Sequence, residues 1–447
     1  MLGLRKDCNV IIRDGRSYII IKDYFIPIPW HIALVFSFLT GELSIVEVAD
    51  IIVSVGLMSE FRKKELLSEI RKSYMVFLEE YQPGCVRKDI PKPEEILNTT
   101  REKISVFDYP IPRAMLYHVT SSCDKYCRYC YLNAHKSPLE GDILSREGIF
   151  KIIDQMRDLA IPKIVYTGGE PFVRKDFLDI LEYASKKGIY NSVTTKHYFT
   201  SDEAIRIGKM GMVKIALSYD SHIPCEADYL SGCVDHARKM DTSITYLLEN
   251  NVDLSIEPVV TGVNVNSIEA FLVHLKKLGV ENVELHRYVN DGGRHNEQLN
   301  LTAQQWDNIL GLLNSSQKSL TNLCLYNESV EIKQSENVSL ETGCVNGLLS
   351  FSMLPNGKVV LCDHMPNAKE YCYGDLKTQS IEEIWNGDSR REILNPSLEN
   401  FMNTPCETCH DFMQCLKKTA CRKQSILQCG DINGISTLTR KLCSKFT

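Results

Sequence analysis

The chain has no apolar run long enough to cross a bilayer. Its densest stretch, residues 30–39, falls well short of the ~20 apolar residues a membrane helix needs. No membrane partner is therefore expected. The opening Met1-Leu-Gly-Leu-Arg-Lys-Asp lacks the apolar segment of a secretion signal. There is no long basic run and the net charge is −6, which argues against nucleic acid as a main partner. Without a secretory context, seventeen cysteines do not read as a disulfide framework. They fit a reducing cytoplasm and bound metal. Otherwise the composition is globular, 44% hydrophobic and 24% charged, and 447 residues exceed one ordinary core.

The cysteines fall into two groups. Cys123, Cys127 and Cys130 lie in Ser-Ser-Cys-Asp-Lys-Tyr-Cys-Arg-Tyr-Cys-Tyr, a C-x3-C-x2-C triplet just after an apolar stretch. Three thiolates on one loop can hold three irons of a cubane cluster and leave the fourth iron open for chemistry. A zinc site is the competing reading, since C-x2-C pairs also bind zinc. About forty residues on, residues 163–167 read as a buried strand, and Gly168-Gly169-Glu170-Pro171 follows at once. Glycines there let the backbone approach a ligand closely and adopt positive φ.

The triplet, with Tyr129 before its third cysteine, resembles the cluster motif of radical S-adenosylmethionine (SAM) enzymes. In that family the open iron chelates SAM, and an electron cleaves it to a 5′-deoxyadenosyl radical that abstracts hydrogen from the substrate. The resemblance implies that Gly168, Gly169, Glu170 and Pro171 lie at the end of the second barrel strand and contact the SAM amino group. It places Ser218, in Leu-Ser-Tyr-Asp, and Thr195, at the end of the third strand, near SAM. Relatives often carry Arg-Gly where this chain has Ser231-Gly232, so the SAM carboxylate needs another partner; Arg238 and Arg287 are the alternatives.

Three regions emerge along the chain. Residues 1–90 read as strands at 10–13, 17–22 and 24–28, then helices at 31–39, 44–55 and 59–80. Ser44 caps the second helix, with Glu47 three residues on. This order resembles the winged-helix peptide-binding domain called the RiPP recognition element, RiPPs being ribosomally made, post-translationally modified peptides. Residues 91–112, with four prolines, read as a linker. From 113 to about 300, strands at 116–120, 163–167, 192–195, 213–218, 253–260 and 282–288 alternate with helices at 145–159, 175–187, 202–210, 234–250 and 268–278. Such alternation predicts an α/β fold with parallel strands and right-handed crossovers. Six units make a partial (β/α)6 barrel, as in the family, with ligands at the carboxyl ends of the strands.

Residues 320–447 hold ten cysteines. Cys-x12-Gly357-x4-Cys joins Cys344 to Cys362, and Cys406-x2-Cys409-x5-Cys415-x5-Cys421 follows. This resembles the SPASM extension of radical SAM enzymes, which carries two auxiliary 4Fe–4S clusters, so three clusters are implied in all. By that resemblance Cys344, Cys362 and Cys421 serve the first auxiliary cluster, with Cys324 as candidate fourth ligand or an open iron in its place. Cys406, Cys409, Cys415 and Cys443 serve the second. Relatives usually have three residues rather than five before the cysteine matched to Cys421, and Cys429 is its alternative. Asp363 beside Cys362 matches an acid that takes a proton from the substrate radical in sulfatase-maturing relatives; a surface turn residue is the other reading. Cys8, Cys85, Cys225, Cys233 and Cys372 read as structural, since free cysteine packs as a small apolar residue.

The expected function is a radical SAM/SPASM maturase. It would bind the leader of a precursor peptide and oxidise core residues, commonly by crosslinking, with an electron donor such as flavodoxin or ferredoxin. A sulfatase-type oxidation of Cys or Ser is the alternative within the class. A non-enzymatic peptide-binding or electron-transfer protein is the alternative outside it.

Overall fold

The structure is a computed structural model. It describes residues 111–132, 143–290 and 293–316 without a break, and segments of 2–92, 322–409 and 422–433. Two compact units result, Met1–Tyr109 and Pro110–Thr447. Most of the expected linker, residues 91–112, lies outside the described residues.

In the first unit, β2 (Cys8–Arg13), β3 (Arg16–Ile21) and β4 (Tyr24–Ile28) form an antiparallel sheet in that order. Helix α1 (Trp30–Phe38) is apolar all round, and Ile32 to Phe36 are fully buried. A helix of that kind belongs inside a core, and here it packs with Val10, Ile19 and Ile28 of the sheet. Helix α2 (Ile45–Ser54) starts as its sequence predicts. The Glu47 amide donates to Ser44 Oγ at 3.2 Å, and the Ser44 amide donates to Glu47 Oε2 at 2.8 Å.

The expected helix over 59–80 does not reach its end. Its last part is a π turn (Ile70–Tyr74), a 3-10 turn (Met75–Phe77) and a strand, β5 (Leu78–Glu80). That strand pairs antiparallel with β1 (Leu2–Leu4). The reason is tertiary: the chain's opening strand offers a ladder partner, and Leu4 and Leu78 both enter the core.

The second unit follows the expected alternation. Strands β6 (Ala114–His118), β7 (Lys163–Thr167), β8 (Tyr190–Thr195), β9 (Val213–Leu217), β10 (Asp253–Ile256) and β12 (Asn282–Arg287) pair in that order, all parallel. Between them run α3 (Arg146–Asp158), α4 (Phe177–Lys186), α5 (Ser201–Gly208), α7 (His236–Glu249) and α8 (Ile268–Lys277). Ser145 caps α3, and Thr200 with Glu203 closes a capping box on α5. Buried faces such as Ile149, Ile152, Ile153 and Met156 of α3 meet Ile164 and Tyr166 of β7 in one core. Helix α6 (Pro224–Ser231) was not expected from the sequence pattern.

Two further findings bear on the site. The stretch 253–260 is not one strand. Glu257 and Pro258 interrupt it, and β11 (Val259–Val260) resumes beside β12 alone. Proline brings no N–H to the ladder, and the Val259 amide is released to another partner, described below. The sheet also continues beyond six strands. β13 (Asn322–Leu325) adds parallel to β12 at one edge. At the other, β14 (Ser350–Met353) runs parallel to β6, followed antiparallel by β15 (Lys358–Val360) and β16 (Cys372–Asp375). Part of the C-terminal region is thus built onto the barrel sheet. No helix among the described residues is long and apolar enough to cross a membrane.

Candidate iron–sulfur and SAM site

The cysteine loop leaves β6 at its carboxyl end and is gripped from three sides by backbone. The Gly169 amide donates to Thr120 O at 2.8 Å, and the Glu170 amide to Ser122 O at 2.9 Å. On another side the Tyr126 amide donates to Ser231 O at 3.0 Å, and the Arg128 amide to Leu230 O at 2.9 Å. On the third, the Arg294 amide donates to Cys130 O at 2.9 Å.

Each contact needs a glycine. A Cβ on Gly169 would fall on the Ser122 carbonyl, and one on Gly293 on Cys130 and Tyr131 backbone. One on Gly232, which also has φ +69°, would come within 2.6 Å of Tyr126 Cβ. The sequence reads Gly168-Gly169 as approaching a ligand; in this structure the backbone they approach is that of the cysteine loop. Ser231, where relatives have arginine, is fully buried in the second grip.

The three thiols are half-buried. Burial pushes the Cys123 thiol up to about 11 and Cys127 up to about 12, and each also feels Cys130. Among the described residues no group of three His, Cys, Asp or Glu converges as around a single metal ion. A cubane asks for something else: three thiolates on three different irons around a shared hollow. Soft, desolvated thiols brought within electrostatic reach of one another on one loop fit that group.

Glu170 is 2% exposed and fully engaged. Its Oε1 accepts from Thr195 Oγ1 at 2.5 Å and from the Phe172 amide at 3.2 Å; its Oε2 accepts from the Lys196 amide at 2.9 Å. Burial raises its pKa, and these hydrogen bonds work against that. Thr195 thereby locks Glu170 in place. Pro171 is buried at the start of a short 3-10 turn. Ser218 is half-buried at the end of β9, its Oγ 3.5 Å from Glu257 O. Of the two alternatives for the SAM carboxylate, Arg238 is exposed and pairs with Asp235, while Arg287 ends β12 with its guanidinium 5.1 Å from the Trp306 ring.

Sequence reasoning missed Asp220 and Lys196. Asp220 is 1% exposed. Its Oδ2 accepts from the Tyr129 hydroxyl at 2.5 Å and from Lys196 Nζ at 2.9 Å. Its Oδ1 takes the released Val259 amide at 2.9 Å. Lys196 Nζ also donates to Ser218 O at 2.8 Å. Burial works to lower the Lys196 pKa, and Asp220 and Cys127 more than offset it, so it stands raised. Burial first, then Asp220, raises the Tyr129 phenol well above its ordinary value. Removing one partner of a buried pair costs roughly 3–5 kcal/mol. A charged residue just past the carboxyl end of each of two neighbouring strands was the available signal.

The C-terminal cysteines are only partly described. Cys362 follows β15, half-buried, and accepts from the His364 amide at 3.4 Å. The His364 ring stacks on Tyr131, next to Cys130, with centroids 4.1 Å apart. Lys423, on α9 (Arg422–Cys429), lies 3.0 Å from His364 Nδ1. Cys362 is thus tied to the barrel loop through one stacked pair. Cys406 and Cys409 share a tight turn, the Cys409 amide donating to Cys406 O at 3.1 Å. Cys324 lies on β13, opposite Glu284. Asp363, Cys344, Cys415, Cys421 and Cys443 lie outside the described residues. Among the cysteines read as structural, Cys8 is buried and Cys225 is exposed.

A three-cysteine loop at the carboxyl ends of parallel strands, with glycines closing on it, defines the radical SAM class of enzyme. The comparisons agree. A family model of the radical SAM superfamily matches residues 117–224, and one of an iron-sulfur cluster-binding domain, SPASM, matches 344–411. The chain thus carries a radical SAM domain and a SPASM domain. It is 26% identical over 171 residues to an AdoMet-dependent heme synthase of Nitratidesulfovibrio vulgaris, covering 38% of this chain and 46% of that one. It is 21% identical over 341 residues to a PqqA peptide cyclase of Bradyrhizobium diazoefficiens, covering 74% and 87%. Its fold is similar to Streptococcus suis SuiB bound to S-adenosylmethionine, with TM-score 0.62 at 15% identity over 98% of this chain and 99% of that one. SuiB bound to precursor peptide SuiA is similar with TM-score 0.61, over 96% and 97%.

Proposed function

We propose that this enzyme matures a ribosomally made precursor peptide by oxidising its core residues, most simply by forming a crosslink. The observation that carries this is the joining of the three-cysteine loop, through Tyr131 and His364, to a C-terminal cysteine region. PqqA peptide cyclase and peptide-bound SuiB among its relatives support the peptide class. In this reading residues 113–300 perform hydrogen abstraction, residues 320–447 carry two auxiliary clusters, and residues 1–90 capture the leader past a linker at 91–112.

Cys123, Cys127 and Cys130 would hold the barrel cluster, and Tyr129, Gly168, Gly169, Glu170, Pro171, Thr195 and Ser218 would line the SAM pocket. Held there, a cluster and SAM would supply hydrogen-abstracting radical chemistry, with a flavodoxin or ferredoxin as the electron donor. Buried Glu170 fixes the ends of β7 and β8 through Thr195 and Lys196. Cys324, Cys344, Cys362, Cys421, Cys406, Cys409, Cys415 and Cys443 would ligate the auxiliary clusters, and Asp363 would accept the substrate proton.

Leader capture rests on β4. Among the described residues it pairs on one side only, with β3, and Pro27 lies within it. A sheet edge is where an extended peptide adds as a further strand. The test is co-expression with candidate short peptides from neighbouring reading frames, followed by mass spectrometry. Loss of two hydrogens within the core, dependent on the leader, is expected. An unmodified peptide alongside active SAM cleavage would overturn the peptide reading.

A further inference from the structure

We infer that Asp220 and Lys196 are a positioning and charge-setting pair for the three-cysteine loop. Asp220 anchors the loop through Tyr129, and Lys196 sets a buried positive charge over the Tyr129 ring, between the second and third cysteines of the loop. The inference rests on the proposed barrel-cluster ligation and assigns a role to two residues outside it.

The geometry is specific. Tyr129 stands between Cys127 and Cys130, and its hydroxyl ends on a carboxylate that is 1% exposed. That carboxylate also takes the Val259 amide, freed where Pro258 breaks the strand, and the Asp220 carbonyl accepts from Asn264 Nδ2 at 2.7 Å. Asp220 is therefore held from β11 and the turn after it, and passes that rigidity to the loop. Lys196 is 8% exposed, lies 5.4 Å from the Tyr129 ring centre, and its amide is fixed by Glu170. The two side chains bring opposite charges to Tyr129, between two of the cysteines: Asp220 holds its hydroxyl, and Lys196 Nζ lies over its ring and 2.9 Å from Asp220 Oδ2. In a buried site such charges are weakly screened. Net charge and hydrogen bonding near the sulfurs help set a cluster's potential. Reduction adds negative charge, so Lys196 should favour the reduced cluster and Asp220 disfavour it.

The test uses the full-length reconstituted enzyme and follows the midpoint potential of the cluster whose EPR signal changes on adding SAM. Lys196→Met should move it negative, Asp220→Asn should move it positive, and the double variant should return toward the parent. Tyr129→Phe keeps both charges. It should leave the potential in place while lowering the thermal midpoint of the protein. Shifts of the same sign in the two single variants, no shift in either, or a shift in Tyr129→Phe as large as in Asp220→Asn would overturn the inference. If Lys196→Met takes up no iron at the barrel site, Lys196→Arg decides. Iron loading there supports a need for the charge, and failure to load refutes it. Absence of any SAM-sensitive signal in the parent would instead count against the cluster assignment itself.

Discussion

The barrel cysteines and the C-terminal cysteines propose the same chemistry and are built in opposite ways. Cys123, Cys127 and Cys130 fall within eight residues, and one loop brings them together. The C-terminal candidates run from Cys324 to Cys443, and among the described ones Cys324 and Cys362 are placed by strands added to the barrel sheet. A local site costs little chain entropy to assemble, while a dispersed one must wait for the fold. The local site is also braced, by three glycines and a buried carboxylate. The comparison teaches that the barrel site should be separable from the C-terminal one, and that the reverse dependence should be weaker.

The largest expected effect breaks the comparison cleanly. Replacing Cys123, Cys127 and Cys130 together with Ala should bring deoxyadenosine formation to background while iron remains in the C-terminal region. Retained SAM cleavage in that protein would sink the assignment. Next, Cys409→Ala should abolish peptide product and leave uncoupled SAM cleavage, read by assaying both from one sample. Cys372→Ala should change neither, since Cys372 sits in a strand beside Val360.

A subtler cut acts on the bracing alone. Gly169→Ala forces a methyl onto the Ser122 carbonyl. Overpacking of this kind costs roughly 1–3 kcal/mol. Iron at the barrel site should fall with the C-terminal iron unchanged, as measured by iron content and EPR. Equal loss from both regions would show that the two sites assemble as one.

The smallest effect is on acid stability. His236 is 1% exposed, and burial lowers its pKa to about 3. The Tyr198 hydroxyl lies 2.8 Å from its Nδ1, and its Nε2 meets no partner among the described residues. The folded state therefore keeps it neutral while the unfolded chain takes a proton near its ordinary 6.5. Its contribution is complete above that value and lost as pH falls toward 3. Between pH 6.5 and 5 that amounts to about 2 kcal/mol. Urea unfolding of the apo-protein at pH 7 and 5 should show a shallower loss in His236→Gln than in the parent.

The alternation of strands and helices was legible because apolar periodicity is a local signal. Lys163–Thr167 and Tyr24–Ile28 lie where the sequence puts them. The end of the helix predicted over 59–80 was not, because its fate depends on pairing with Leu2–Leu4. Neither was the break at Glu257–Pro258, where the chain leaves β9 and keeps β12 as its neighbour. In the site, the triplet and Gly168-Gly169 were legible as spacing. Asp220 and Lys196 were not, since a charged pair after an apolar strand reads equally as a solvated turn.

The sequence by itself determined that three thiols gather at one place, because three cysteines within eight residues are neighbours whatever surrounds them. Tertiary structure alone decided what that loop rests on. Gly232 and Gly293 lie more than a hundred residues beyond it, and Asp220 about ninety. Only the closing of a parallel sheet, strand by strand, brings such distant backbone within hydrogen-bonding reach.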